Sequence, residues 1–357
     1  MLIVGIFVQT PFQLFNAINI ATNMIHADGC FLFLKEDYYL SNNKFRIKCN
    51  HNYIKGVFYT KQFESVSFLK DYYYRIKGLI TGSYSALFPS LCCFFKSMPV
   101  KMPRFSCIIC SKYDSDLVDM YSKAYNISPK VYLIEDGTGD YTISHDWINP
   151  NYTKIFYWPE LYNKFFSTTI LQAPICPQNN ALFCELLFNV FRYNCAERNS
   201  GKKCIFFHQP IDNCLDKTER KIIVDMENSL IKVLSTKFGK DFFIKLHPRD
   251  DLNCYSEYNI LDSSVPWEVM ITQNGNIDDY LLVGINSTAL ITPKLVFDYE
   301  PSLLILEKVF KYWEVGAKKH TVERTYILFE ELRNTYRVPE KVQIPDSYAE
   351  LYEIIKN

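Results

Sequence analysis

Short, largely apolar runs recur along the chain, and between them apolar residues fall at helical intervals. The runs are Met1 to Val8, Gly29 to Leu34, Gly56 to Tyr59, Phe105 to Cys110 and Val131 to Ile134 in the first half. In the second half they are Cys204 to Phe207, Asp241 to Leu246 and Tyr280 to Gly284, with an extended piece at Tyr258 to Leu261. A strand apolar at nearly every position suits a parallel sheet covered on both faces, whereas a half-exposed strand alternates. Between the runs, Leu14, Ala17, Ile18, Ala21 and Ile25 share one helical face, and Leu117 to Tyr125 predicts another helix. Ile222, Ile223, Met226, Leu230, Val233 and Leu234 line one side of a helix predicted from Lys217 to Phe238. Strand and helix therefore alternate in each half, as they do in doubly wound α/β domains.

The rhythm lapses between Trp158 and Asn199, where Pro159, Pro174 and Pro177 precede an apolar helical run from Ala181 to Tyr193 and a polar stretch from Asn194 to Lys203. This predicts a Rossmann-like domain at 1–157, a crossing at 158–203, a second Rossmann-like domain at 204–335 and a C-terminal segment at 336–357. A chain of 357 residues is long enough for two such cores. Near the end lie an amphipathic stretch at Leu328 to Arg337 and a last helix at Tyr348 to Ile355, expected to pack back on the first domain.

Composition narrows the picture by exclusion. Lys and Arg number 39 and Asp and Glu 39, so no net field draws nucleic acid, which is an unexpected partner. No window offers about twenty consecutive apolar residues, so no transmembrane helix is expected. The opening run lacks a basic leader and a small-residue cleavage site. The 12 cysteines then read as reduced thiols of a cytoplasmic protein, and the Cys107–Cys110 pair, without a second CxxC to complete a zinc site, as core residues of a strand. Phe68 to Arg104 is aromatic and locally basic, with Lys70, Tyr72, Tyr73, Tyr74, Arg75, Lys77, Lys96 and Lys101. Two readings stay open for it: a segment lying on the anionic inner membrane surface or on a lipid-linked acceptor, and a helix pair with snorkelling lysines. The 26 Tyr and 27 Phe suit sugar-stacking surfaces, and equally an AT-rich genome.

Candidate chemistry gathers where the apolar runs stop, since ligands of open α/β sheets sit beyond the carboxyl ends of the strands. Val131 to Ile134 ends at Glu135-Asp136-Gly137-Thr138-Gly139-Asp140, which places carboxylates and flexible glycines at a loop; a solvated turn is the plain alternative. After the first strand come Gln9, Thr10, Pro11, Phe12 and Gln13, where Thr10 can cap a helix and leave amide donors at its start. In the second half a strand ends at Lys245-Leu246-His247-Pro248, and Pro248 fixes the backbone so that His247 is presented at a defined place, as proton donor or as a structural residue. Glu268 is a single acid in Val265-Pro-Trp-Glu-Val-Met270, and Ser287-Thr288 opens a helix after a strand, offering hydroxyls to a phosphate or simply capping.

Glu135-Asp136-Gly137, Lys245-Leu-His247-Pro248, Pro266-Trp-Glu268-Val and Ser287-Thr288 together resemble the acid-acid-glycine, His-Pro and paired-hydroxyl motifs of bacterial sialyltransferases. The opening Gln-Thr-Pro-Phe-Gln before a helix is similar to the start of glycosyltransferase family 52, which includes lipooligosaccharide, O-antigen and capsule sialyltransferases. The resemblance spans Met1 to about Leu290, and Thr288 departs from the usual Ser-Ser pair. It implies an α/β fold of GT-B type, with two facing Rossmann-like domains and a central crevice. It also implies inverting transfer of sialic acid from CMP-sialic acid to an oligosaccharide or lipid-linked glycan, with no metal or other cofactor. Carried over by motif, Asp136 is the general base and His247 assists departure of CMP. Ser287 and Thr288 hold the phosphate, Glu268 the ribose, and Pro248 lies near the cytosine. Lys245, Glu135, Gly137, Thr10 and Gln13 are further substrate contacts, and Asp140 is a second possible base. The residues also leave open a transferase using a UDP-sugar or CDP-glycerol, and a non-catalytic glycan-assembly subunit.

Overall fold

The computed structural model describes residues 1–35, 51–60, 104–124, 127–144, 148–166, 168–176, 180–193, 203–209, 217–247, 255–262, 265–310 and 319–356. The chain divides into two compact units. One comprises Met1–Asp136, His145–Pro159 and Ser167–Tyr193, the other Gly137–Ser144, Glu160–Phe166 and Asn194–Asn357. Each is an α/β unit built on a parallel sheet, as the alternating pattern predicts.

In the first unit the strands are β1 (Ile3–Val8), β2 (Gly29–Lys35), β3 (Ile54–Thr60), β4 (Cys107–Cys110), β5 (Lys130–Ile134), β6 (Thr153–Phe156) and β7 (Ile170–Gln172). Their order in the sheet is β3-β2-β1-β4-β5-β6-β7. β1 pairs in parallel with both β2 and β4, so the winding direction reverses between β1 and β4. Helices α1 (Pro11–Asn23) and α2 (Ser115–Ala124) follow β1 and β4. The strand–helix rhythm continues into the proline-marked stretch, because β7 extends the sheet there beside β6; both strands are too short to stand out as apolar runs. Much of the aromatic content here is core. Phe7 stacks on Phe33 at 4.1 Å between centroids, and Phe105 and Tyr121 close around them, all within a few percent of full burial. Cys107 and Cys110 are buried in β4, and burial pushes the Cys107 thiol up to about 12 and Cys110 well above its ordinary value, so neither is a thiolate.

The second unit has strands β8 (Cys204–Phe207), β9 (Phe242–Lys245), β10 (Ile260–Leu261), β11 (Leu281–Gly284), β12 (Ser302–Ile305) and β13 (Val342–Gln343), in the order β10-β9-β8-β11-β12-β13. β8 pairs with β9 and β11, which sets the reversal between β8 and β11. Two short excursions of the chain belong to this unit: α3 (Thr138–Thr142) and most of α4 (Pro159–Phe165). The helix α10 (Lys319–Thr335) accounts for it. Arg324 donates from Nη1 to the Thr142 carbonyl at 2.9 Å and lies over the Phe166 ring at 4.7 Å, while Lys164 pairs with Glu331. The remaining helices in chain order are α5 (Ala181–Phe191), α6 (Lys217–Phe238), α7 (Trp267–Asn274), α8 (Thr288–Phe297) and α9 (Glu307–Phe310), with α11 (Tyr348–Lys356) last. Among the described residues no helix is long and apolar enough to cross a membrane. The aromatic, basic segment at 68–103 lies outside the described residues.

Candidate active-site loops

Adjacent residues at a strand end point opposite ways, and the two carboxylates after β5 accordingly go to different places. Glu135 is buried; its Oε2 accepts the Tyr157 N–H at 2.7 Å and its carbonyl accepts from Asn16 Nδ2 at 3.3 Å. Asp136 is half-buried, and its Oδ1 accepts from Gln13 Nε2 at 2.6 Å. Gln13 is itself fixed, because its Oε1 accepts the N–H groups of Gln9 at 2.7 Å and Thr10 at 3.1 Å. Thr10 Oγ1 accepts the Gln13 N–H at 3.3 Å, which completes a capping box at the start of α1. One glutamine thus closes a helix terminus and orients Asp136. The Thr10 hydroxyl is engaged in the cap, and Asp140 is buried within α3.

Sequence reasoning missed most of the polar scaffold behind this loop. Gln13, Asn16 and Asn19 are essentially unexposed in a largely apolar helix. Asn19 Nδ2 donates to the Tyr157 hydroxyl at 2.9 Å and to the Pro174 carbonyl at 2.9 Å, and that hydroxyl donates to Asn16 Oδ1 at 3.1 Å. A polar stripe at three-residue spacing, Gln13, Asn16, Asn19 and Thr22, on a largely apolar helix was the available signal. A second cluster spans the β1/β4 reversal. Gln9 Nε2 donates to Asp114 Oδ1 at 3.1 Å, Ser111 Oγ donates to Asp114 Oδ2 at 2.6 Å, and Lys35 Nζ donates to Gln9 Oε1 at 3.3 Å. Burial lifts the Asp114 carboxyl to about 6, although the Ser111 and Gln9 hydrogen bonds and the Lys35 charge oppose the rise.

In the second unit the loops after β8, β9 and β11 are tied together. The His208 N–H donates to the Lys245 carbonyl at 3.1 Å, and Gln209 Nε2 donates to the Asn286 carbonyl at 2.8 Å. Ser287 caps α8, its hydroxyl accepting the Ala289 N–H at 3.3 Å. Thr288 Oγ1 accepts the Thr138 N–H at 3.2 Å and lies against Gly137, where a Cβ would approach it to 2.2 Å. Gly137 also has φ of 121°, so this position admits glycine for two independent reasons. The Thr288 hydroxyl is therefore set on the glycine loop. Lys245 is buried and donates to the carbonyls of Asp262 at 2.6 Å and Val265 at 2.9 Å, which anchors the loop entering α7. Glu268 lies buried in the first turn of α7; desolvation raises its carboxyl above the usual range, while the Thr292 hydroxyl and the Lys245 charge pull it down. His247 is half-buried one residue past Leu246 at the end of β9, and Pro248 lies outside the described residues. Also unforeseen is a buried pair: His208 Nε2 lies 3.2 Å from Glu227 Oε1, which accepts from the Tyr255 hydroxyl at 3.4 Å as well. Among the described residues no group of three or more His, Cys, Asp or Glu is placed to hold a metal ion.

No family model and no curated protein matches the chain. Solved structures do resemble it at low identity. The glycotransferase of kitacinnamycin is similar at 9% identity over 99% of this chain and 98% of that one, with a TM-score of 0.41. The calicheamicin glycosyltransferase CalG4 is similar at 5% identity over 100% and 90%, with a TM-score of 0.42. Arabidopsis thaliana UGT89C1 is similar at 12% identity over 99% and 93%, with a TM-score of 0.41. Likenesses this slight identify neither a donor nor an acceptor.

Proposed function

We propose that the chain is a GT-B-type glycosyltransferase, specifically an inverting, metal-independent sialyltransferase that moves sialic acid from CMP-sialic acid to a terminal hydroxyl, galactose being the expected sugar, of a bacterial surface glycan. The observation that carries this reading is Asp136: a carboxylate at the end of a central strand, half-exposed, and oriented at 2.6 Å by a glutamine that is itself locked into a helix cap. Such rigidity suits a base that must meet one hydroxyl at one angle. Loss of CMP leaves an oxocarbenium-like sugar beside its own carboxylate, so the acceptor needs little activation beyond removal of its proton. The departing phosphate needs charge stabilisation, which falls to His247 and to the amides at the Ser287-capped start of α8. Glu268 is assigned to the ribose. In this reading Glu135 and Lys245 shape the loops around the substrates, and the first unit serves the acceptor and the second the donor.

The test is calorimetric binding of CMP, followed by CMP release from CMP-sialic acid with and without a galactose-terminated oligosaccharide. Micromolar CMP binding with acceptor-stimulated release is the expected result. Tighter binding of UDP, or release indifferent to any acceptor, overturns the sialyltransferase reading.

A further inference from the structure

The polar cluster at the β1/β4 reversal is not used by the chemistry above, yet it occupies the place where doubly wound sheets bind ligands. Its members come from three neighbouring strand ends: Lys35 from β2, Gln9 after β1, and Ser111 and Asp114 after β4. Asp114 is buried and held by Ser111 and Gln9, while Gln9 and Lys35 are half-buried. A lysine within reach of a carboxylate ordinarily closes on it. Here the Gln9 amide stands between them, accepting from Lys35 at 3.3 Å and donating to Asp114 at 3.1 Å. That contact at 3.3 Å uses one of the three donors of the ammonium. A row of ammonium, carboxamide and carboxylate offers alternating donors and acceptors to the adjacent hydroxyls of a sugar.

The row is also continuous with the candidate base. The Gln9 N–H donates to Gln13 Oε1, and Gln13 Nε2 donates to Asp136. β5, which carries Asp136, is the strand next to β4, and neighbouring strands lie about 4.8 Å apart. The loops that carry Asp114 and Asp136 thus leave the sheet from adjacent strands. We propose that Lys35, Gln9 and Asp114 form an acceptor subsite that holds a neutral, hydroxyl-bearing terminal sugar beside Asp136. The inference rests on the glycosyltransferase reading for its name as an acceptor site, but saccharide binding itself does not depend on which nucleotide the second unit takes.

The experiment is saturation-transfer NMR with the methyl glycosides of galactose, glucose, N-acetylgalactosamine and N-acetylglucosamine on the wild type, Asp114→Asn, Lys35→Met and Gln9→Leu, beside CMP calorimetry on the same proteins. One glycoside should give transfer in the wild type, and each variant should weaken it by about tenfold, the scale of losing a hydrogen bond to a charged group, with CMP affinity unchanged. Glycoside transfer that survives in Asp114→Asn overturns the subsite, as does the absence of transfer from all four glycosides. Equal loss of glycoside and CMP binding in the variants overturns it too, because the cluster would then be a structural brace. Variant-sensitive glycoside binding by a protein that ignores CMP upholds the subsite and sinks the sialyltransferase reading instead.

Discussion

Asp114 ties a local geometry to a property of the whole first unit. Its carboxyl stands at about 6 in the folded chain against an ordinary value of 3.8, because burial outweighs the Ser111 and Gln9 hydrogen bonds and the Lys35 charge. A carboxyl raised on folding binds its proton more tightly in the native state than in the unfolded one. Stability is then greatest below the unfolded value and declines as pH rises from about 4 to about 6, after which the contribution is flat. A gap of about two pH units corresponds to roughly 3 kcal/mol, since each unit is worth about 1.4 kcal/mol. Asp114→Asn removes the ionisation while keeping an oxygen for Gln9 or Ser111 and an amide of the same shape. Urea unfolding of both proteins, followed by circular dichroism at steps from pH 4 to 7.5, isolates the effect, because every other titrating group is common to the two. The stability of the variant relative to wild type should climb by about 3 kcal/mol across pH 4 to 6 and then level off. A difference constant to within about 1 kcal/mol over that span would refute the account of Asp114 as an ionised, buried carboxylate at neutral pH.

Gly137→Ala places a Cβ 2.2 Å from Thr288 Oγ1 on a backbone with φ of 121°, so it should cost about 1–3 kcal/mol for the dihedral alone and more for the collision; adding Thr288→Ala should recover the collision part in thermal melts and leave the backbone part. Gln13→Leu deprives the Gln9 and Thr10 N–H groups of their acceptor and Asp136 of its donor, so chemical denaturation should show a loss of about 1–3 kcal/mol. On the proposed sialyltransferase reading, Asp136→Ala should lower turnover with CMP-sialic acid by about two to four orders of magnitude with CMP affinity nearly intact, and turnover within a few-fold of wild type removes it from the base role. His247→Ala should slow transfer to every acceptor alike, and a loss that varies with the acceptor argues against its acting on the departing CMP.

The two parallel sheets were readable from the chain because their strands are apolar at nearly every position, as in Cys107 to Cys110 and Cys204 to Phe207, both buried throughout. β6, β7, β12 and β13 escaped notice: β6, β7 and β13 are short and partly exposed, so periodicity has too few residues to register, and β12, though apolar and buried at Leu303–Ile305, is only four residues long. The candidate site divides along a similar physical line. A loop that ends an apolar strand with acids and glycines announces itself, and Asp136 and Gly137 were found that way. What could not be read is which polar group is committed to holding the loop. Glu135 and Asp136 are adjacent and chemically alike, yet one is buried on the Tyr157 amide and the other is half-exposed on Gln13. Ser287 and Thr288 form a similar pair of hydroxyls, and the second is set against Gly137 and the Thr138 amide. In both pairs the sorting depends on partners far away in sequence. For the acid pair, Gln13 holds the Asp136 carboxylate and Asn16 the Glu135 carbonyl, and with Asn19 they are polar positions on the buried helix α1, where an unpaired amide would be costly and each therefore must have a distant partner. A buried helix with amides at three-residue spacing is thus itself a sign that loops from elsewhere in the chain are being held in place, and here the loop held is the one that carries Asp136.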